Sequence, residues 1–261
     1  MSIPTEKDPL PNWAKHPFQQ FLAHQKRVGH LVMLSQMGIS MLPHRPLAIE
    51  VLARSENPEM RPDEGQLEEA RNLAKLADEE MRGGFQLLYA QATISLWASL
   101  EYLFHDFFAT WLQKVPAACS SEPVKSIKIN LADYESMSPD ERYSYLVDLL
   151  ERDLKSPLRQ GIARFESVLE VFGLGGAVDE NLRKSLFELY HVRNVLAHRG
   201  GICDRRLKQA CAWLPVTQGK AVVVTAQTFN EYMISVEVYA LTVVSRLLEH
   251  FESANQEDVI C

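Results

Sequence analysis

The longest helical pattern in the chain runs from about Phe85 to Lys114, and it restricts the fold to architectures that cover one long apolar helix. A glycine pair precedes the pattern and Pro116 follows it, and both residue types end helices. Its large aromatic residues recur at spacings of seven, four and three positions: Trp97, Phe104, Phe108 and Trp111. This spacing places them on one stripe of a helix. Other elements must pack against that stripe for it to be buried.

The same helical period dominates most of the chain. Capping residues and helix breakers delimit further predicted helices over residues 13–41, 63–82, 138–154, 160–172, 179–199 and 228–251. Residues 44–62 hold three prolines and are predicted to form a loop with a short helical piece. Two β-favouring runs flank the letters TQGK, which predicts a small β-hairpin near 214–225. The predicted fold class is therefore all-α, an antiparallel helix bundle with this one hairpin.

Three regions follow from the pattern. Residues 1–84 are predicted to form an N-terminal helical extension that packs on the bundle. Residues 85–252 form the main helical domain. The polar end of the chain, 253–261, is predicted to be a flexible tail.

Composition and charge limit the classes of function. The chain has 261 residues and a formal net charge of -7, so any contact with nucleic acid must be local. Four scattered cysteines form no metal-binding spacing and suit a reducing compartment. The first residues lack the apolar stretch of a signal peptide, and no run reaches the roughly 20 apolar residues of a membrane span. The sequence predicts a cytoplasmic protein without a membrane contact, a metal or a cofactor.

Two charged residues fall on apolar helix faces. Arg193 lies inside the apolar arc of the helix at 179–199, and Glu101 lies in the middle of the aromatic stripe. A buried guanidinium needs an anionic partner because it cannot lose its proton. We therefore predict a Glu101–Arg193 ion pair. The pair either only fixes the register of the helices or also holds Arg193 in place for a ligand phosphate.

Three polar residues share the other flank of the same helix. Asn194 lies four residues before His198, so their side chains lie on one face, and His191 shares that flank. His198 has two interpretations. Its cation favours the negative end of the helix, or its ring acts on a ligand together with Asn194.

A local excess of positive charge follows this helix. Besides Arg193, the segment to residue 208 contains Arg199, Arg205, Arg206 and Lys208, and only Asp204 opposes them. The patch is either a solvated helix start or a site for a polyanion such as RNA.

The run Arg193-Asn194-x-x-x-His198, with Gly200 and Gly201 following after Arg199, resembles the R-x(4–6)-H motif of the HEPN superfamily. The resemblance covers roughly residues 85–250 and implies a HEPN-like helix bundle. It implies that Arg193 and His198 are the catalytic pair, with Asn194 as a supporting polar residue. One departure is that Arg199 and Gly200 follow the histidine, where some toxin members have a tyrosine.

Many proteins of this superfamily are metal-independent endoribonucleases, often toxins or antiphage effectors that act as homodimers. The resemblance therefore implies RNA cleavage through 2′-hydroxyl attack, without a cofactor, in a homodimer formed by the motif helices. A neutralising antitoxin or another defence protein is a further implied partner. Two alternatives stay open: a non-catalytic module that binds RNA or nucleotide, and an assembly subunit whose function lies in the N-terminal helices.

Overall fold

The computed structural model describes residues 10–56 and 59–260, and this part of the chain is built from α-helices joined by short turns. Eleven helices are formed in it: α1 (Asn12–Met41), α2 (Arg45–Glu56), α3 (Glu64–Arg82), α4 (Gln86–Lys114), α5 (Glu122–Lys125), α6 (Leu131–Ser136), α7 (Pro139–Asp153), α8 (Ala163–Val171), α9 (Glu180–His198), α10 (Arg205–Ala210) and α11 (Ala226–Ile260). The predicted all-α class is confirmed.

Helix α4 is the centre of the bundle and contacts α1, α7, α9 and α11. Its aromatic stripe is buried, with Trp97, Phe104, Phe108 and Trp111 between 0 and 1 % exposed. The stripe is also in direct aromatic contact with neighbouring elements, since Phe104 stacks on Phe165 of α8 at a ring-centroid distance of 4.6 Å. Burying large aromatic side chains is the main favourable contribution of such a helix to folding.

The first and last long helices lie antiparallel on this core. Trp13, at the start of α1, meets Phe251 of α11 with ring centroids 6.0 Å apart. Further along α1, Gly29 faces the sulfur of Met233, near the start of α11. Trp13 also contacts Trp111 at 5.8 Å, so α1 is part of the same core as α4. Helix α11 continues to Ile260, within the predicted tail at 253–261, and Cys261 lies outside the described residues.

The β-hairpin predicted near 214–225 is wrong. Within the described ranges no strand forms, and the only β-type pairing is an isolated antiparallel bridge between Ile202 and Ala221. The segment 219–222 pairs with 201–203 instead of with its own neighbour, through hydrogen bonds such as Val222 N to the Gly201 carbonyl at 2.8 Å. Gly200 and Gly201 turn the chain after α9, and 201–203 lies beside this segment.

Candidate functional site

Local sequence fixes both ends of α9, the helix that carries the predicted motif. At its start the Asp179 carboxylate accepts a hydrogen bond from the Leu182 amide at 3.0 Å, as an N-cap should. At its end Gly200 and Gly201 have φ angles of 59° and 75°, which glycine adopts without a Cβ penalty. The Gly201 amide then returns to the Val195 carbonyl at 3.1 Å. Because α9 stops at His198, that side chain stands at the end of the helix.

Arg193 lies on the packed side of α9 and pairs with Glu101 of α4, as predicted. Its Nη2 donates to Glu101 Oε2 at 3.0 Å. The other carboxylate oxygen of Glu101 accepts from Arg164 at 2.5 Å, and Arg164 also donates to Glu151 at 3.1 Å. We call these four residues the charge chain. Their side chains keep only 11 to 27 % exposure, so each charge depends on its neighbours.

Arg193 is also connected to the next residue of the motif. Its Nη1 donates to Asn194 Oδ1 at 3.0 Å. A guanidinium has donors only, so it holds the amide oxygen of Asn194 and leaves the amide NH₂ as the group available to a ligand. Within one chain, Arg193 therefore acts on the motif flank through Asn194.

A cavity of about 320 Å³ lies beside this flank, and we call it the α9 cavity. Three side chains on one face of α9 line it, namely His191, Asn194 and His198. Its remaining lining comes from α9 and the residue after it, the turn before α8 and the start of α10: Gln160, Tyr190, Val195, Arg199, Asp204, Arg206 and Leu207. The predicted common flank of the three α9 residues is confirmed, whereas Arg193 is not part of the lining.

The basic patch predicted after α9 divides into two groups. Arg199 and Arg206 line the α9 cavity, but Arg205 and Lys208 do not. Arg199 forms a loose ion pair with Asp204 at 3.8 Å, and the Asp204 carboxylate also caps α10. Both arginines are exposed, so they bring positive charge to the mouth of the cavity.

His198 is the least constrained group of the cavity. Its side chain is exposed, and among the described residues it has no hydrogen bond, ion pair or ring contact. By contrast, Asn194 is half-buried and already bonded to Arg193. An imidazole with both nitrogens open to the cavity is suited to proton transfer to or from a bound ligand.

His191 occupies the opposite environment in the same cavity. It is 8 % exposed, contacts the rings of Phe187 and Tyr190 at 4.6 and 5.1 Å, and meets Gln160 Oε1 through Nε2 at 3.1 Å. Burial lowers its pKa below the ordinary 6.5, and the Asp204 carboxylate opposes this shift. Its ring is therefore neutral at physiological pH. The helical spacing predicts His191 on this flank. It does not predict the contact with Gln160, because Gln160 lies 31 residues earlier in the chain.

No functional assignment comes from metal sites or membrane spans of the described residues, or from similarity to known proteins. No three His, Cys, Asp or Glu side chains of the described residues lie close enough together to hold a metal ion. In the same part of the chain, no helix has both the length and the apolar character needed to cross a bilayer. No protein-family model, curated protein or solved structure matches the chain. The α9 cavity and the charge chain are therefore the features of the chain that bear on its function.

Proposed function

We propose that the protein is a metal-independent endoribonuclease whose active site is the α9 cavity. The observation that carries this proposal is the unconstrained His198 beside the Asn194 amide in a cavity whose mouth holds two exposed arginines. Arginines recognise phosphate through charge and fixed donors, and a histidine moves protons near neutral pH. Together these groups suit a phosphodiester and a proton-transfer reaction.

The substrate supplies the nucleophile in this reaction. The 2′-hydroxyl of RNA attacks the adjacent phosphorus, and the bond to the 5′-oxygen of the next nucleotide breaks. His198 transfers a proton, while Arg199, Arg206 and the Asn194 amide stabilise the charge that develops on the phosphate oxygens. The products carry a 2′,3′-cyclic phosphate and a free 5′-hydroxyl. DNA lacks the 2′-hydroxyl and is not cut.

The proposal includes a homodimer formed near the motif helices. In one chain Arg193 reaches Asn194 and not the cavity, and the motif resemblance implies that two copies of the motif helix meet to form one composite site. Apolar surface near the end of α9 supports this arrangement. Ile202 and Val223 are 44 and 46 % exposed, and Val223 lies two residues after Ala221, the bridge partner of Ile202. Exposed apolar patches of this kind mark interaction surfaces.

A non-catalytic module that binds RNA or nucleotide is the second candidate. It is favoured by the position of Arg193, which is engaged by Glu101 and Asn194 and does not line the cavity. In this case the cavity binds a phosphate without breaking it. A toxin or antiphage role with a neutralising partner rests on the motif resemblance alone.

The test is cleavage of matched RNA and DNA strands by the purified protein in EDTA. We expect the RNA to be cut and the DNA to stay intact. His198→Ala should lower the cleavage rate by about 100-fold or more, the usual effect of losing a proton-transfer group. His30→Ala is the matched control, because His30 is an exposed histidine of α1 outside the cavity.

Three outcomes decide between the candidates. Intact RNA with wild type, together with tight RNA binding in a filter assay, supports the binding module and rejects the nuclease. Equal cleavage by wild type and His198→Ala rejects the α9 cavity as the active site. Loss of cleavage in His198→Ala with an unchanged melting temperature supports the proposed role.

A further inference from the structure

His191, Asn194 and His198 lie at positions i, i+3 and i+7 of α9, which form one face of a helix. All three line the α9 cavity, so two imidazoles share one space with a polar amide between them. The motif contains only the second histidine. The motif therefore implies no role for His191.

Gln160 determines which nitrogen of His191 carries the proton. The contact is between His191 Nε2 and Gln160 Oε1 at 3.1 Å. An amide oxygen only accepts hydrogen bonds, so Nε2 is the donor and the neutral ring keeps its lone pair on Nδ1. The neighbouring rings of Phe187 and Tyr190 hold the imidazole in place. His191 is thus a fixed, neutral base at the cavity.

The charged groups around the two histidines act differently on them. Those that line the cavity are Arg199, Asp204 and Arg206, besides the phenol of Tyr190. At His191 the burial of the ring exceeds the attraction of Asp204, so the pKa falls. His198 is exposed at the end of α9, whereas His191 is buried. Two titratable groups in such different environments are the usual arrangement for an acid and a base.

We propose that His191 is a second catalytic residue, the general base for the reaction in which His198 is the general acid. This proposal rests on the nuclease function proposed above. Nδ1 of His191 accepts the proton of the 2′-hydroxyl, and the 2′-oxygen forms its bond to phosphorus. The bond between phosphorus and the 5′-oxygen breaks, and protonated His198 gives its proton to that oxygen. The reaction leaves His191 protonated and His198 neutral, and solvent restores both.

The test is the pH dependence of single-turnover RNA cleavage with enzyme in excess. Wild type should give a bell-shaped profile, in which the acidic limb reports the base and the alkaline limb reports the acid. His191→Gln keeps a hydrogen-bonding amide but cannot take up a proton. We expect it to lower the rate by about 100-fold and to remove the acidic limb. His30→Gln is the control and should leave the profile unchanged.

Gln160→Glu separates a catalytic role from a structural one. A carboxylate beside Nε2 favours the protonated imidazole and raises its pKa, so the acidic limb should move to higher pH. Gln160 is exposed, and the exchange keeps its size, so the fold should tolerate it. A role of His191 in packing alone would leave the limb in place.

The outcomes distinguish this inference from the function on which it rests. If wild type does not cut RNA, or if His198→Ala cuts as well as wild type, the nuclease proposal itself fails. If wild type cuts and His198→Ala does not, but His191→Gln keeps the acidic limb, only the role of His191 is overturned. An acidic limb that does not move in Gln160→Glu overturns it as well.

Discussion

Glu101 is the residue on which two arginines depend. It accepts hydrogen bonds from Arg193 and Arg164, and all three side chains are largely withdrawn from solvent. The helical period of the sequence was sufficient to predict the first contact, because Glu101 and Arg193 each fall on an apolar face. It could not predict the second contact, since Arg164 lies on a helix whose position depends on the folding of the whole chain.

Replacing Glu101 by Gln should destabilise the protein. The substitution removes the negative charge between two guanidiniums and leaves both without their shared partner. Breaking a fully buried pair costs about 3–5 kcal/mol, and the partial exposure of this one reduces the expected loss to about 2 kcal/mol. The free energy of unfolding from urea titration measures it.

Glu122→Gln is the control for this substitution. Glu122 pairs with Lys125 on the surface at 3.7 Å, and exposed pairs contribute about 0–1 kcal/mol. Similar losses in the two variants would show that the charge chain contributes no more than a surface ion pair.

His191 should make stability depend on pH. Its pKa is lower in the folded protein than the ordinary 6.5, so the unfolded chain binds the proton more strongly. Protonation therefore favours unfolding, and the penalty is absent above about pH 6.5 and grows as the pH falls through this window. Between pH 7.5 and pH 5, wild type should lose more stability than His191→Gln in thermal melts. Parallel losses would contradict the lowered pKa.

At the scale of elements, helix starts were predictable where the cap is local. The predicted helices over 63–82, 138–154 and 179–199 start at Asp63, Ser138 and Asp179, and each of these side chains accepts a backbone hydrogen bond at the start of its helix. The loop with a short helical piece predicted over residues 44–62 contains the longer helix α2, of 12 residues, because Pro46 falls in its first turn, where proline is tolerated. The predicted hairpin does not form. Which extended segments pair with each other depends on long-range contacts, and here 219–222 pairs with 201–203.

The start of α11 predicts different stability effects for substitutions at Thr225 and Thr228. The sequence suggests Thr228 as the cap, but the Thr228 amide donates to Thr225 Oγ1 at 3.1 Å, and helix α11 begins at Ala226. Thr225→Ala should therefore cost about 1 kcal/mol, the usual effect of losing a cap. Thr228→Ala should cost clearly less. Chemical denaturation of both variants measures the difference, and the reverse order would contradict the observed helix start.

At the scale of the whole molecule, the α9 cavity required the fold. Helical spacing alone predicts that His191, Asn194 and His198 share one flank. The cavity is completed by the turn at Gln160, which lies 31 residues before His191, and by the start of α10. For the same reason, sequence alone could not divide the basic residues into those that reach the cavity and those that do not.

The proposed homodimer predicts that a charge at Val223 disrupts its interface. Val223→Glu places a charge on the patch shared with Ile202, where it would be buried in the proposed interface at high cost. Sedimentation should show a dimer for wild type and a monomer for the variant, and RNA cleavage should fall with dissociation. Leu131→Glu, which alters an exposed leucine of α6, should stay dimeric. A monomeric wild type that cuts RNA would contradict the dimer.

The identity of the newly formed 3′ ends tests the central claim most directly. RNA is cleaved in EDTA and ¹⁸O-labelled water, and the first products are analysed by mass spectrometry. Attack by the 2′-hydroxyl predicts 2′,3′-cyclic phosphate ends without ¹⁸O, absent from the His198→Ala reaction. First products with a 3′-hydroxyl, or with a linear phosphate that contains ¹⁸O, would show that water is the nucleophile and would contradict this account.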